Sequence, residues 1–122
     1  NKMGYRSKVI IGVKTGILSK KFDAILNKHE MMSSDCIKKG YIKIKIDPND
    51  KTIYTFEYIK WYESHVWCKE IVDFLSKYDY HHFRMKDENV FCIGLGEDGQ
   101  LHSVIGDPYE YVETVSEINL ID

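Results

Sequence analysis

The sequence lacks the features that mark membrane and secreted proteins. No apolar run approaches the roughly 18 residues that a membrane-spanning helix needs, and no apolar stretch near the N-terminus resembles a signal peptide. The three cysteines, Cys36, Cys68 and Cys92, are odd in number and widely spaced, which is a poor framework for disulfides. We therefore expect an intracellular protein with reduced thiols and no membrane partner.

Internal repeats, low-complexity tracts and linker-like stretches are also missing. The 122 residues suffice for one domain but not for two. Hydrophobic residues make up 43% and charged residues 30% of the chain, so it can bury a core, which excludes wholesale disorder. We predict a single domain over residues 1–122.

The sequence has no strong motif for catalysis, metals or cofactors. No C-x₂-C or H-x₃₋₅-H pairing is present. The segment 94–99 matches G-x-G-x-x-G, but a β-like run follows where a helix should begin. Glu97 and Asp98 would also repel a pyrophosphate. We therefore predict a glycine-rich turn, assign no catalytic residue, metal ligand or cofactor, and expect that the protein is not an enzyme.

Positive charge is absent from the last third of the chain. Residues 87–122 contain nine Asp and Glu and no Lys or Arg, whereas residues 1–51 contain twelve Lys and Arg and five Asp and Glu. One interpretation is an acidic surface that docks on a basic protein. The other is that acidic strands lie beside basic strands and the charges meet across the sheet.

Hydrophobic periodicity predicts short elements along the whole chain. The clearest are an alternating strand over Tyr41–Ile46 and an amphipathic helix over Ser64–Tyr78. The other predictions are a strand over Lys8–Val13, a helix from about Ser19, a hairpin through Asp47–Asp50 to a strand over Thr52–Trp61, a run at His82–Met85, strands over Val90–Leu95 and Leu101–Ile105, and a last strand or short helix within Tyr109–Ile121.

The predicted order is β-α-β-β-α-β-β, and its first six elements match the ferredoxin-like, or split β-α-β, arrangement. In that arrangement both helices cover one face of an antiparallel sheet. We therefore predict an α+β fold of this kind with an extra C-terminal hairpin or strand.

Aromatic residues alternate along the predicted third strand. Tyr54, Phe56 and Tyr58 share one strand face, and Lys43 and Lys45 are candidates for the same face. Aromatic rings beside cations on such a sheet are typical of RNA-recognition modules. The glycine-containing core of the RNP1 signature is absent, so packing in the core or under the C-terminal segment is the favoured explanation.

Three short blocks suggest a family. Residues 3–9 read Met-Gly-Tyr-Arg-Ser-Lys-Val and resemble the opening of a set of small bacteriophage proteins; residues 60–62 and 93–97 are similar to further blocks of that set. The resemblance implies a phage accessory protein that acts in the cytoplasm of the infected bacterial host and disables a defence system, as anti-CRISPR proteins do. It implies no activity for any particular residue.

We accordingly predict stoichiometric binding to a bacterial host protein, such as a nucleic-acid-binding nuclease, through the acidic last third. Carboxylates there can occupy positions normally held by phosphates, and tyrosines add rigid contact area. The candidate interface residues are Glu97, Asp98, Asp107, Tyr109, Glu110, Tyr111 and Glu113.

A second candidate interface contains Tyr5, Arg6 and Trp61, because these residue types dominate binding hot spots. Tyr5 and Arg6 could equally anchor the N-terminus, with Arg6 pairing with a C-terminal carboxylate. Two other functions remain open: a nucleic-acid-binding module that uses the aromatic and basic sheet face, and a sponge that binds a nucleotide immune signal in a pocket of Arg, Lys and Tyr.

Overall fold

The chain folds around a five-stranded antiparallel sheet with the order β2-β3-β1-β4-β5. The computed structural model describes residues 5–79, 89–114 and 117–121. The elements are β1 (Ser7–Lys14), α1 (Ile17–Lys28), α2 (Ser34–Lys38), β2 (Ile42–Ile46), β3 (Lys51–Ile59), α3 (Val66–Tyr78), β4 (Val90–Gly96), β5 (Leu101–Ile105), a 3₁₀ turn (Pro108–Glu110), β6 (Val112–Thr114) and β7 (Ile118–Leu120).

The central strand β1 is buried on both faces. Val9 and Ile11 point toward one hydrophobic cluster, and Ile10 points toward another on the opposite face. All three side chains are fully buried. This explains why the β1 sequence is continuously apolar and does not alternate, as is typical of a strand covered on both sides.

Helices α1 and α3 cover the first face. Phe22 and Leu26 of α1 and Ile71 and Leu75 of α3 are fully buried against it. Each pair has the helical spacing of three or four residues that places side chains on one helix face. The predicted α+β class, the antiparallel sheet and the helix assigned to Ser64–Tyr78 are confirmed.

The hairpin β6–β7 covers the second face. Val112 and Ile118 pack there against Ile10, Phe91 and Ile93. The C-terminal segment therefore closes the core on the side that the helices leave open.

The structure adds a helix to the predicted elements. This third helix, α2, was not assigned from the sequence; at its start the Ser33 side chain accepts a hydrogen bond from the Cys36 backbone N–H at 3.2 Å. The predicted strand Leu101–Ile105 is present as β5 at the sheet edge, and the expected extra C-terminal hairpin is present as β6–β7, which form a separate small sheet. The predicted run His82–Met85 lies outside the described residues.

None of the helices within the described ranges has the length and apolar character needed to cross a bilayer.

Gly12 of β1 makes room for an aromatic ring. It lies opposite Phe91 in the ladder, and a Cβ atom on Gly12 would stand 2.0 Å from Cε2 of that ring. Phe91 in turn stacks on Tyr111 with ring centroids 4.8 Å apart. Glycine at this position thus lets the Phe91 ring pack directly on the β1 backbone, on the face of the sheet that the β6–β7 hairpin covers.

We predict that Gly12→Ala lowers the free energy of unfolding by about 1–3 kcal/mol, because the added methyl group overpacks the Phe91 ring. Urea unfolding followed by circular dichroism measures the loss. In a Phe91→Leu background the same substitution should cost less, since the smaller side chain leaves space. Equal costs in both backgrounds would show that another contact is responsible.

Candidate functional site

Three distant segments meet where β1 begins. In the ladders, Ser7 lies opposite Ile59 at the end of β3 and opposite Gly96 at the end of β4. We call the accessible part of this region the Tyr5 surface; it consists of the half-buried Tyr5 and Arg6 and the exposed Tyr58, Glu97 and Asp98.

Tyr5 is fixed in place by both its ring and its backbone. Its hydroxyl donates a hydrogen bond to Asp98 Oδ1 at 2.7 Å, and its carbonyl accepts one from the Tyr62 hydroxyl at 3.0 Å. The hydrogen bond to Asp98 raises the pKa of Tyr5, because the phenol must keep its proton to donate. The ring lies over Gly96, where a Cβ atom would stand 1.6 Å from the Tyr5 hydroxyl oxygen.

Arg6 contacts the acidic turn only through its backbone. Its N–H donates to the Glu97 carboxylate, and its carbonyl accepts from the Glu97 N–H at 3.0 Å. The guanidinium lies over the Tyr58 ring, 5.1 Å from its centroid, and donates to the Tyr58 carbonyl at 3.4 Å. Arg6 therefore does not form the side-chain ion pair that we expected with a C-terminal carboxylate among the described residues.

Trp61 belongs to the core and not to this surface. It is 7% exposed, its indole N–H donates to Ser103 Oγ at 3.1 Å, and its ring meets Trp67 edge to face at 5.8 Å. The second candidate interface is thereby corrected, because a partner could reach Tyr5 and Arg6 but not Trp61.

The acidic candidates fall into two groups at opposite ends of β5. Glu97 and Asp98 lie in the turn before the strand, and Asp107 and Glu110 lie after it. Tyr109, in the second group, is 51% exposed, and its backbone N–H donates to Asp107 Oδ1 at 3.2 Å. Glu113 is exposed on β6.

Tyr111 has a structural role that the sequence did not reveal. Its ring stacks on Phe91, and its hydroxyl contacts Asp50 Oδ2 at 2.9 Å and Lys51 Nζ at 3.1 Å. Burial raises its pKa. Lys51, which lies between the predicted turn and the predicted strand, is the first residue of β3 and only 8% exposed. Tyr111 thus ties the C-terminal segment to the β2–β3 turn.

Among the described residues, no ion pair joins the basic first third of the chain to a carboxylate beyond residue 87. Lys8 and Lys43 both pair with Glu57, at 3.6 and 3.5 Å, and Lys28 pairs with Glu70. The strand order contributes to this, since the basic β2 and the acidic turns around β5 belong to opposite edges of the sheet. The described residues therefore do not form the cross-strand ion pairs that would neutralise the acidic segment.

His102 joins β5 to β1 through Ser7 and also contacts its chain neighbour Ser103. Nε2 lies 2.8 Å from Ser7 Oγ and Nδ1 lies 3.0 Å from Ser103 Oγ. The ring covers Gly94, where a Cβ atom would stand 2.4 Å from Cε1. Burial lowers the pKa of His102. Because both ring nitrogens face hydroxyls and Ser7 is 3% exposed, this arrangement lacks the carboxylate and the accessible nucleophile of a serine hydrolase.

The cysteines are poorly suited to nucleophilic or metal chemistry. Burial raises the pKa of Cys68 to about 12 and also raises that of Cys92. Within the described parts of the chain, no group of three His, Cys, Asp or Glu side chains could hold a metal ion. Both thiols pack as small core residues.

A cleft of about 510 Å³ opens beside Arg6. It lies between the C-terminal end of α1, α2, the β2–β3 pair and the start of α3, and it was not predicted from the sequence. Its apolar lining includes Met31, Tyr41, Phe56, Tyr58, Ile59 and Trp67. A concave, largely apolar site with a few polar groups is the usual form of a ligand pocket.

A bulge in β3 turns Tyr58 toward this cleft. Ser7 pairs with Ile59 but Val9 pairs with Phe56, so β3 holds one extra residue. Tyr58 has a φ of 55° and is 65% exposed. A non-glycine residue in this left-handed region costs about 1–3 kcal/mol, and such strain clusters at functional sites.

The pairing of β2 with β3 places the aromatic rings and the lysines, which were candidates for one shared face, on opposite faces of the sheet. Tyr54 and Phe56 are buried under the helices, at 0% and 2% exposure. Lys43 lies opposite Thr55 and Lys45 opposite Ile53, so the lysines project from the other face. The rings and lysines proposed for nucleic-acid binding are therefore not on one accessible surface.

We predict that acidification weakens the fold through His102. Its pKa is below the ordinary 6.5 in the folded state, so the unfolded chain binds more protons near and below that pH, and stability falls until the folded-state pKa is passed. Urea unfolding between about pH 8 and about pH 5 measures this. His102→Gln should lose less stability over that range than the parent, and identical pH slopes would exclude the assignment.

No protein-family model matches the chain, and no curated protein or solved structure resembles it significantly.

Proposed function

We propose that this protein is a phage accessory protein that binds a bacterial defence protein stoichiometrically and inhibits it, without catalysing a reaction. The single observation that carries the proposal is the exterior of β5, a sheet edge with exposed apolar side chains and carboxylates at both ends.

Two apolar side chains of β5 face outward. Leu101 is 44% exposed and Val104 is 45% exposed, on a strand that has only β4 as a neighbour among the described strands. An exposed apolar edge strand is a ready site for protein association. Apolar contacts here would supply affinity at the centre of an interface, with charged groups at its rim.

The carboxylates around β5 would select a basic partner. Glu97 lies before the strand, and Glu110 and Glu113 follow it; all three are exposed. Since residues 87–122 contain nine Asp and Glu and no Lys or Arg, we expect a negative potential over this edge. Such a surface accelerates encounter with a cationic groove, for example the nucleic-acid-binding groove of a CRISPR nuclease.

The structural framework of this edge supports a binding role. The turn that carries Glu97 is tied by backbone hydrogen bonds to Arg6, and its sharp bend uses Gly99 at a φ of 79°. A preorganised surface loses less entropy on binding than a mobile one. We also infer a ferredoxin-like origin for β1 to β4; the antiparallel pairing of β1 with both β3 and β4 supports it.

A phage-protection assay tests the function. Bacteria that carry an active CRISPR nuclease and a targeting guide are infected with the targeted phage, with and without this protein. Expression should restore plaque formation, and the purified protein should form a 1:1 complex with the nuclease and block DNA cleavage. Unchanged plaque numbers across the nuclease types tested, with no complex formed, would refute the proposal.

We predict that Glu97→Lys combined with Glu110→Lys slows association with the partner roughly tenfold or more at low salt and flattens its salt dependence. Surface plasmon resonance at several salt concentrations measures both effects. The matched control is Glu63→Lys with Asp73→Lys, which changes the net charge equally at exposed positions in and before α3.

The control should bind as the parent does. Thermal unfolding should show both double variants folded, because exposed charges contribute little to stability and the bond from the Glu97 N–H to the Arg6 carbonyl stays in place when the Glu97 carboxylate is lost. Parent-like association of the Glu97/Glu110 variant would place the interface elsewhere on the protein.

A further inference from the structure

We propose that the cleft beside Arg6 is a binding site for a free nucleotide, with the base against the aromatic lining and the phosphate on the Arg6 guanidinium. This site lies on the helix-covered side of the sheet and is separate from the β5 edge proposed for protein binding.

The size and lining of the cleft suit a nucleobase. Its volume of about 510 Å³ is within the range of small-molecule sites. Tyr41 and Tyr58 are 53% and 65% exposed at its wall, and Trp67 is half-buried there. Aromatic side chains of this kind bind bases by stacking, irrespective of base identity.

Arg6 supplies the positive charge that a phosphate requires. A guanidinium has five N–H donors, and the described contacts of this one are the Tyr58 ring and a 3.4 Å hydrogen bond to the Tyr58 carbonyl. No carboxylate of the described residues pairs with it. Its planar donors match the oxygens of a phosphate, and its stacking on Tyr58 fixes their direction.

Backbone strain marks one aromatic residue of the same cleft. Tyr58 lines it with a φ of 55°. The other two such non-glycine residues in the described ranges are Ser103 and Glu30, and Glu30 forms the ordinary left-handed cap that ends α1. Tyr58 gains little from burial at its position, since its ring is mostly exposed. A strained, exposed aromatic residue is better explained by contact with a ligand than by packing.

The charges around the cleft favour a free nucleotide over a nucleic-acid strand. A strand needs a row of cations along its backbone. Lys8 and Lys43 are paired with Glu57, and Lys28 is paired with Glu70. Arg6 can therefore hold one phosphate group, while the exposed Glu30 carboxylate on the rim would repel further ones.

Nucleotide titration provides the direct test. AMP, GMP, CMP and UMP are added to the intact protein while tryptophan fluorescence is followed, since Trp67 lines the cleft and Trp61 is the only other tryptophan of the chain. We expect saturable 1:1 binding. The corresponding nucleosides should bind roughly 10- to 100-fold more weakly, because they lack the charge-assisted contacts to Arg6. Inorganic phosphate should bind weakly, and a short single-stranded RNA should gain nothing over the mononucleotide.

Two variants locate the site. Arg6→Gln should weaken nucleotide binding roughly 10- to 100-fold and remove the preference over the nucleoside, whereas Lys20→Gln, at an exposed cation of α1, should have no effect. Tyr58→Asn should also weaken binding, but without lowering the melting temperature, because asparagine adopts left-handed φ values more readily than tyrosine.

Three results would overturn the inference: folded parent protein that shows no saturable binding at millimolar nucleotide, Arg6→Gln that binds as tightly as the parent, or binding of the RNA alone. The protein-binding proposal is independent of these results, since neither Glu97 nor Glu110 lines the cleft.

Discussion

The close packing of aromatic rings on glycines of the two central strands is the contact on which the rest of this structure depends. The pairs are Phe91 on Gly12, His102 on Gly94 and Tyr5 on Gly96. Each ring fills the space that a side chain would otherwise occupy, so the ring and the backbone are in direct contact. Through these contacts the sheet holds the C-terminal segment by Phe91 and Tyr111, β5 by His102, and the N-terminal segment by Tyr5.

Both proposed binding sites lie at the limits of this packed region, one where β1 begins and one at the β5 edge of the sheet. Where β1 begins, β3 gains an extra residue, and the bulge turns Tyr58 outward beneath Arg6 and opens the cleft. On the other side, β5 ends the described sheet, and the segments on either side of it hold the exposed carboxylates of Glu97 and Glu110, which form no ion pair with a described residue. Arg6 links the two regions, because its backbone is bonded to Glu97 and its guanidinium lines the cleft.

Several elements could be predicted because their information is local. The alternation of Tyr41–Ile46, the helical stripe of Ser64–Tyr78 and the turn chemistry of Asp47–Asp50 and Asp98–Gly99 lie within a few residues each, and the structure has the corresponding β2, α3 and turns. Helix α2 escaped prediction because its five residues have no buried side chain and hence no apolar period. The burial of Trp61 and the role of Tyr111 were missed because their partners, Ser103 and Asp50, are distant in the chain.

The sequence by itself determined the α+β class, the two main helices, the antiparallel sheet and the division of charge, since periodicity and composition are properties of neighbouring residues. Only the tertiary structure decided that the basic β2 and the acidic turns around β5 lie at opposite sheet edges, that Tyr54 and Phe56 are buried while Tyr58 is exposed, and that a cleft opens beside Arg6. These features depend on strand order and on a single-residue bulge. One extra residue reverses the face of every side chain beyond it, and the pattern of letters within a strand does not show where that occurs.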